Sequence, residues 1–246
     1  APRERNRESL AADRVARARE MATLTGIIAE ACRLRLMRGL EQLLESGGYS
    51  RIAGVDEAGR GALAGPVVAA AVVPSPSAWI PGVDDSKLLT PAERQSLAAT
   101  IRQTALTWAV AAVPAFTIDR INILESTKVA MARALRALAP APDCAIVDAV
   151  ALRGLPFPCL PVIRGDRISY AVACASILAK VERDRMMTAL DQQFPHYGFA
   201  GHKGYGAPEH LRALAERGPA PVHRLTFRSV LPRAHDSAAM ASVRSK

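Results

Sequence analysis

Four carboxylates fall where short apolar runs end. Asp56 and Glu57 close "RIAGV", Asp148 follows "AIV", and Asp166 follows "VIRG". An acid at the tip of a buried strand is costly unless its charge is compensated, and neighbouring strand tips bring several such acids together. Oxygen-only clusters of that kind suit Mg²⁺ or Mn²⁺. Taken singly, each acid also reads as an ordinary turn or helix-capping residue, as Asp often is after a strand. Four of them on strand tips of a basic chain favour the metal.

Two divalent ions about 3.5 to 4 Å apart, held by shared carboxylates, activate a water and stabilise the leaving oxygen of an in-line phosphoryl displacement. Such chemistry needs no side-chain nucleophile. Accordingly, no Ser/His/Asp or Cys/His set stands out, and His196, His202, His210, His223 and His235 are expected on the surface or in loops. Strand alternation points adjacent Asp56 and Glu57 to opposite faces, so either the strand bends there or Glu57 acts less directly.

Gly59, Arg60 and Gly61 follow the first acid pair. "GRGALA" fits the relaxed phosphate-binding turn of a dinucleotide fold, with Ala64 in the last place. That turn must open a helix, whereas Pro66 and "VVAAAVV" continue as strand, which argues against it. The glycines suit a tight turn instead, or a place where backbone groups come close to a ligand with Arg60 as the charged donor.

The elements that must position these residues follow from pattern. "RIAGV" and "GPVVAAAVVP" read as two successive strands. A helix opens with an unusually complete start signal, Thr90 as N-cap, Pro91 at the first position and Glu93 closing a capping box. "LTWAVAAVP" is a third strand, "IDRINILESTKVAMARALRAL" a long helix, "CAIVDAV" and "LPVIRGD" two more strands, and "SYAVACASILAKVERDRMMTALDQQF" another helix. A polar loop and a short helix near Pro208 to Arg217 follow. Two successive strands, then helices interspersed with three more, predict an α/β fold with a mixed sheet flanked by helices. Residues 1–47 read as a basic, amphipathic helical extension closed by Gly47 and Gly48, residues 48–217 as the main domain, and residues 218–246 as an irregular basic tail.

With 246 residues, half of them hydrophobic, the chain can bury a full core. Its formal net charge of +9 favours a polyanionic partner such as nucleic acid, although an Arg- and Ala-rich chain also follows from a biased genome. Cys32, Cys144, Cys159 and Cys174 show no metal spacing and read as reduced, mostly buried thiols. No run approaches the ~18 apolar residues of a membrane span. A cytoplasmic protein is expected.

"VDEAGRG", "LAGPVVAAAVV", "DDSKLLT", "VDAV", "IRGDRISYAVACASILAKVERDRM" and "HYGFAGHKGYGAPEH", in this order and spacing, closely resemble the bacterial type 2 ribonucleases H, ribonuclease HII, over roughly residues 49–212. The resemblance implies a ribonuclease H-like fold, a five-stranded mixed sheet between helices with a small helical C-terminal part. It implies a nuclease of DNA replication and repair that hydrolyses the RNA strand of RNA/DNA hybrids. It also implies incision 5' to single ribonucleotides embedded in duplex DNA, leaving 5'-phosphate and 3'-hydroxyl ends.

By motif, Asp56, Glu57, Asp148 and Asp166 would be the metal-binding catalytic set, with Mg²⁺ or Mn²⁺ as cofactor. One ion would orient water between Asp56 and Asp148 or Asp166, and the other would stabilise the departing 3' oxygen. Gly59, Arg60 and Gly61 match the element that reads the 2'-hydroxyl. Tyr205 matches the tyrosine that packs on the sugar of the following deoxynucleotide. Lys87, Lys180 and Arg183 are candidate phosphate contacts. Lys180, Arg183 and Asp184 share one helix face, which also reads as a solvated, salt-bridged face. Ala62, Arg164 and Cys174 depart from the family's usual residues without removing a proposed ligand. A monomer without membrane attachment is expected. The alternative from another class is a non-catalytic nucleic-acid binder on the same fold, which would gain electrostatically by losing acids near phosphate.

Overall fold

The computed structural model describes residues 23–231. Five strands form one sheet in the order β3-β2-β1-β4-β5, with β1 Ile52–Ala58, β2 Val67–Val73, β3 Thr107–Val113, β4 Cys144–Asp148 and β5 Cys159–Val162. The β1–β2 and β2–β3 pairs are antiparallel, whereas β1–β4 and β4–β5 are parallel. The expected mixed sheet of five strands is therefore the observed one. Parallel β1 and β4 sit side by side and end at the same edge. That places the acids at their C-terminal tips next to one another.

The helices are α1 (23–37), α2 Gly39–Ser46, α3 Pro91–Thr104, α4 Ala115–Arg136, α5 Gly165–Ile168, α6 Tyr170–Gln193, α7 Phe199–His202 and α8 Pro208–Arg217. The capping box at α3 forms as the sequence predicts, Thr90 Oγ1 accepting from Glu93 N–H and Glu93 Oε2 from Thr90 N–H. In α4, Asn122 leaves the helical region at φ 64°, and its Oδ1 accepts from Glu125 N–H. The "long helix" of the sequence is thus two helices joined at an Asn cap.

All seven residues of β2 are buried, as a uniformly apolar strand covered on both faces must be. Ala70 and Val72 pack with α6 and α3, while Val67, Ala69, Ala71 and Val73 pack with Ile118, Ala130 and Met131 of α4. Gly54 brings β1 into contact with α6. A Cβ there would lie 2.1 Å from the Ala171 carbonyl carbon.

The stretch expected to stand apart as an N-terminal extension packs on the body. Leu34 and Met37 of α1 share a core cluster with α6. The irregular segment after α8 is also tied down, with Arg224 fully buried and Val230 at 3% exposure. Residues 1–22 and 232–246, including His235, lie outside the described residues. Among the described residues no helix is long and apolar enough to cross a membrane.

Candidate active site

One oxygen each from Asp56, Glu57 and Asp148 can be chosen so that all three lie within 4.8 Å of one another. Asp56 and Glu57 meet although both lie within β1, whose antiparallel register with β2 continues through Ala58. Pairing with β4 stops at Val55 and Val147, and the Glu57 N–H donates instead to Asp56 Oδ1 at 2.7 Å. The Asp56 carboxylate thereby folds along its own strand toward Glu57. Asp148 reaches the group from the neighbouring tip, held by the Gly165 N–H on its Oδ1 at 2.7 Å. Asp166, on α5, stands beside this triad and outside it. Its Oδ2 accepts from Lys87 Nζ at 3.1 Å.

Burial, then the charges of Glu57 and Asp148, push the Asp56 carboxyl well above the usual carboxylate range. Burial also raises Glu57, against the pull of Arg60, and raises Asp148, against its bond from Gly165. Glu57 Oε2 is buried with no hydrogen-bond partner. Three acids crowded at mutual cost, one with an orphaned oxygen, fit a hard divalent cation, which would compensate all three at once.

The loop after β1 turns at Gly59, whose φ is 92°. A Cβ there would lie 1.8 Å from Arg183 Nε, so only glycine allows the buried guanidinium beneath it. Arg183 is 0% exposed. It donates to Pro66 O and Ala64 O, and its guanidinium carbon lies 5.3 Å from the Tyr205 ring centroid. The expectation of a phosphate contact on an outward helix face is therefore corrected. Arg183 supports the loop from below, while Lys180 and Asp184 form a partly buried pair at 2.7 Å. Arg60 points outward, its guanidinium 3.3 Å from Glu57 Oε1, and Gly61 has open space where a side chain would be.

Two supporting residues escaped the sequence reading. Arg224, in the segment read as tail, donates to Arg60 O at 2.8 Å and Gly65 O at 3.1 Å. Burial, and then neighbouring Arg183, lower its pKa to about 9. Asp85 is 0% exposed. It accepts from Lys87 N–H and Arg167 Nε, and lies 3.7 Å from Lys87 Nζ. "DDSK" signals acid and base close together, but not which acid is buried.

Tyr205 is 41% exposed. Two of the histidines expected on the surface hold it from behind. His210 Nδ1 donates to Tyr205 O at 2.8 Å, leaving His210 Nε2 to accept from His223 Nε2 at 2.9 Å. His223 Nδ1 accepts from Ala220 N–H. Both rings are buried against Phe199 and Tyr197, and each is neutral with every nitrogen used. Burial lowers the His223 pKa from its ordinary 6.5 to about 4 and lowers that of His210. A base whose folded pKa is depressed stabilises the fold above its unfolded pKa and loses that contribution as pH falls toward the folded one. The Tm difference between the native chain and His223→Gln should therefore shrink as pH drops from about 6.5 to 4. A difference that is flat with pH would show that His223 gains its proton without cost to the fold.

A family model described as Ribonuclease HII matches residues 53–230. A ribonuclease HII from Chloroflexus aurantiacus is 51% identical over 197 residues, 78% of this chain and 93% of that one. One from Ruminiclostridium cellulolyticum is 48% identical over 195 residues, 79% of this chain and 76% of its own. Among solved structures, the ribonuclease H2 of Pyrococcus horikoshii superposes with a TM-score of 0.65 at 28% identity, over 74% of this chain and 95% of that one.

Proposed function

Since the chain belongs to the ribonuclease HII family, and is thereby a ribonuclease H acting on RNA/DNA hybrids, we propose that it is divalent-metal-dependent and also incises 5' to single ribonucleotides in duplex DNA. The observation that carries this reading is the triad of Asp56, Glu57 and Asp148, with its orphaned Glu57 Oε2, beside a loop in which Gly61 has open space where a side chain would be.

Asp56, Glu57, Asp148 and Asp166 would hold Mg²⁺ or Mn²⁺, two ions in this reading. Bound there, the ions supply activation of water and stabilisation of the leaving 3' oxygen. The remaining work falls to the chain itself. The backbone at Gly59 and Gly61 bonds the ribose 2'-hydroxyl, which DNA lacks. Arg60, on the solvent side of Glu57, belongs with these glycines to the element that would read the 2'-hydroxyl. Tyr205 packs its ring on the sugar of the following deoxynucleotide, where a 2'-hydroxyl would not fit. The ring is fixed from beneath by Arg183 and through its carbonyl by His210. Lys87, whose side chain is 78% exposed, carries its ammonium to the edge of the acid group and offers a phosphate donor.

End-labelled duplexes test the proposal, one with a single embedded ribonucleotide and one a continuous hybrid, each with Mg²⁺, Mn²⁺ or EDTA. Incision 5' to the lone ribonucleotide that EDTA abolishes is expected. Tyr205→Ala should slow incision at the lone ribonucleotide about 10- to 100-fold, the loss of roughly 1–3 kcal/mol of aromatic packing, and slow the continuous hybrid much less. Equal loss on both substrates would overturn the junction-reading role. Cleavage that persists in EDTA would overturn the metal.

A further inference from the structure

Glu41 lies on α2, upstream of the residues that the family model matches, yet it is 3% exposed. A carboxylate taken out of water costs several kcal/mol unless its partners compensate. Its side-chain hydrogen-bond partners lie at the junction of α5 and α6, and the charge of nearby Arg38 also favours the carboxylate. Glu41 Oε1 accepts from Ser169 Oγ at 2.7 Å and from Ala171 N–H at 2.8 Å. Glu41 Oε2 is buried with no partner. The carboxylate also faces the N-terminus of a 24-residue helix, where the helix dipole favours negative charge.

Ser169 is a double terminus. It ends α5 and N-caps α6, its Oγ accepting from Val172 N–H at 3.2 Å. Its own N–H donates to Gly165 O at 2.9 Å, closing the turn that carries Asp166. Gly165 N–H in turn donates to Asp148 Oδ1. An unbroken series of hydrogen bonds therefore runs from Glu41 through Ser169 and Gly165 to a triad acid, with Asp166 on the turn between. Leu40 and Leu44 of α2 pack against Ile52, Ile146 and Val172, which seats the carboxylate at that junction.

We propose that Glu41 is a positioning residue for Asp166 and Asp148, and that the helices ahead of the matched region are part of the support of the metal site. The proposal rests on the reading of Asp166 as a metal ligand. The test is Mn²⁺ binding to the substrate-free protein, measured by calorimetry well below each variant's Tm, for the native chain, Glu41→Ala, Glu41→Gln and Asp166→Asn.

Loss of a group that orients a ligand typically weakens metal binding 10- to 100-fold. Glu41→Ala should fall at about the lower of these, and Glu41→Gln, which keeps the shape and one acceptor oxygen, should lose several-fold. Neither should change KM for the duplex at saturating metal. If Glu41→Ala does not fold, Glu41→Gln carries the test. If Asp166→Asn weakens Mn²⁺ binding while the Glu41 variants bind it as the native chain does and only melt earlier, Glu41 is merely structural and the proposal fails. If Asp166→Asn binds Mn²⁺ normally, the assignment of Asp166 fails, and the positioning role with it.

Discussion

Asp56→Asn is expected to slow cleavage of an RNA/DNA hybrid on the order of 10³-fold or more, about 4 kcal/mol of transition-state stabilisation, while the fold stays intact. The substitution is isosteric, and Asn can still accept the Glu57 N–H through its carbonyl oxygen. What it removes is charge at the most buried member of the triad, which is 5% exposed. A second readout separates this from a folding defect. Burial, Glu57 and Asp148 all raise the Asp56 pKa, and an acid whose folded pKa is raised costs stability as pH climbs from its unfolded value through the raised one. The metal-free variant should therefore melt at or above the native temperature at neutral pH, and Mn²⁺ should raise its Tm less. Duplex binding should be equal or tighter, because one negative charge near phosphate is gone. Cleavage retained within tenfold would remove Asp56 from the catalytic set.

Gly54→Ala should destabilise the fold by about 3 kcal/mol or more, at the upper end of overpacking effects, and reduce the yield of folded protein. An added Cβ would lie 2.1 Å from the Ala171 carbonyl carbon, 2.2 Å from Val172 N and 2.4 Å from Ala171 O. All three are backbone atoms of the first turn of α6, so no side chain can swing aside. Either β1 or α6 must shift. A shift of α6 carries Ser169 and α5 with it, moving Asp166 away from Asp56. Chemical denaturation would measure the loss, and Mn²⁺ affinity of whatever folds would report the displaced site. A variant with native midpoint and native Mn²⁺ binding would refute the contact.

The fold was largely legible. Uniformly apolar β2, the Thr90–Glu93 box and the alternation of later strands and helices each report a local rule that the tertiary structure leaves intact. The three triad acids were legible as strand-end residues for the same reason. Histidines were not, because polarity suggests surface, whereas His210 and His223 satisfy each other and two backbone groups in a buried aromatic setting. Arg183 follows the same logic. Helical spacing put it on one face with Lys180 and Asp184, but Gly59 opens a space below the loop that a guanidinium fills.

By itself, then, the sequence determined which elements form and that acids stand at the tips of β1 and β4, because periodicity, caps and strand-end chemistry act within a few residues. Only the tertiary structure decided that Asp56 and Glu57 converge within the paired part of β1, that Asp166 sits beside the triad on Lys87, and that Arg224 and Glu41 reach the site from segments read as appendages. Those pairings join residues far apart in the chain, and a carboxylate or guanidinium can be buried only where a distant partner arrives to satisfy it.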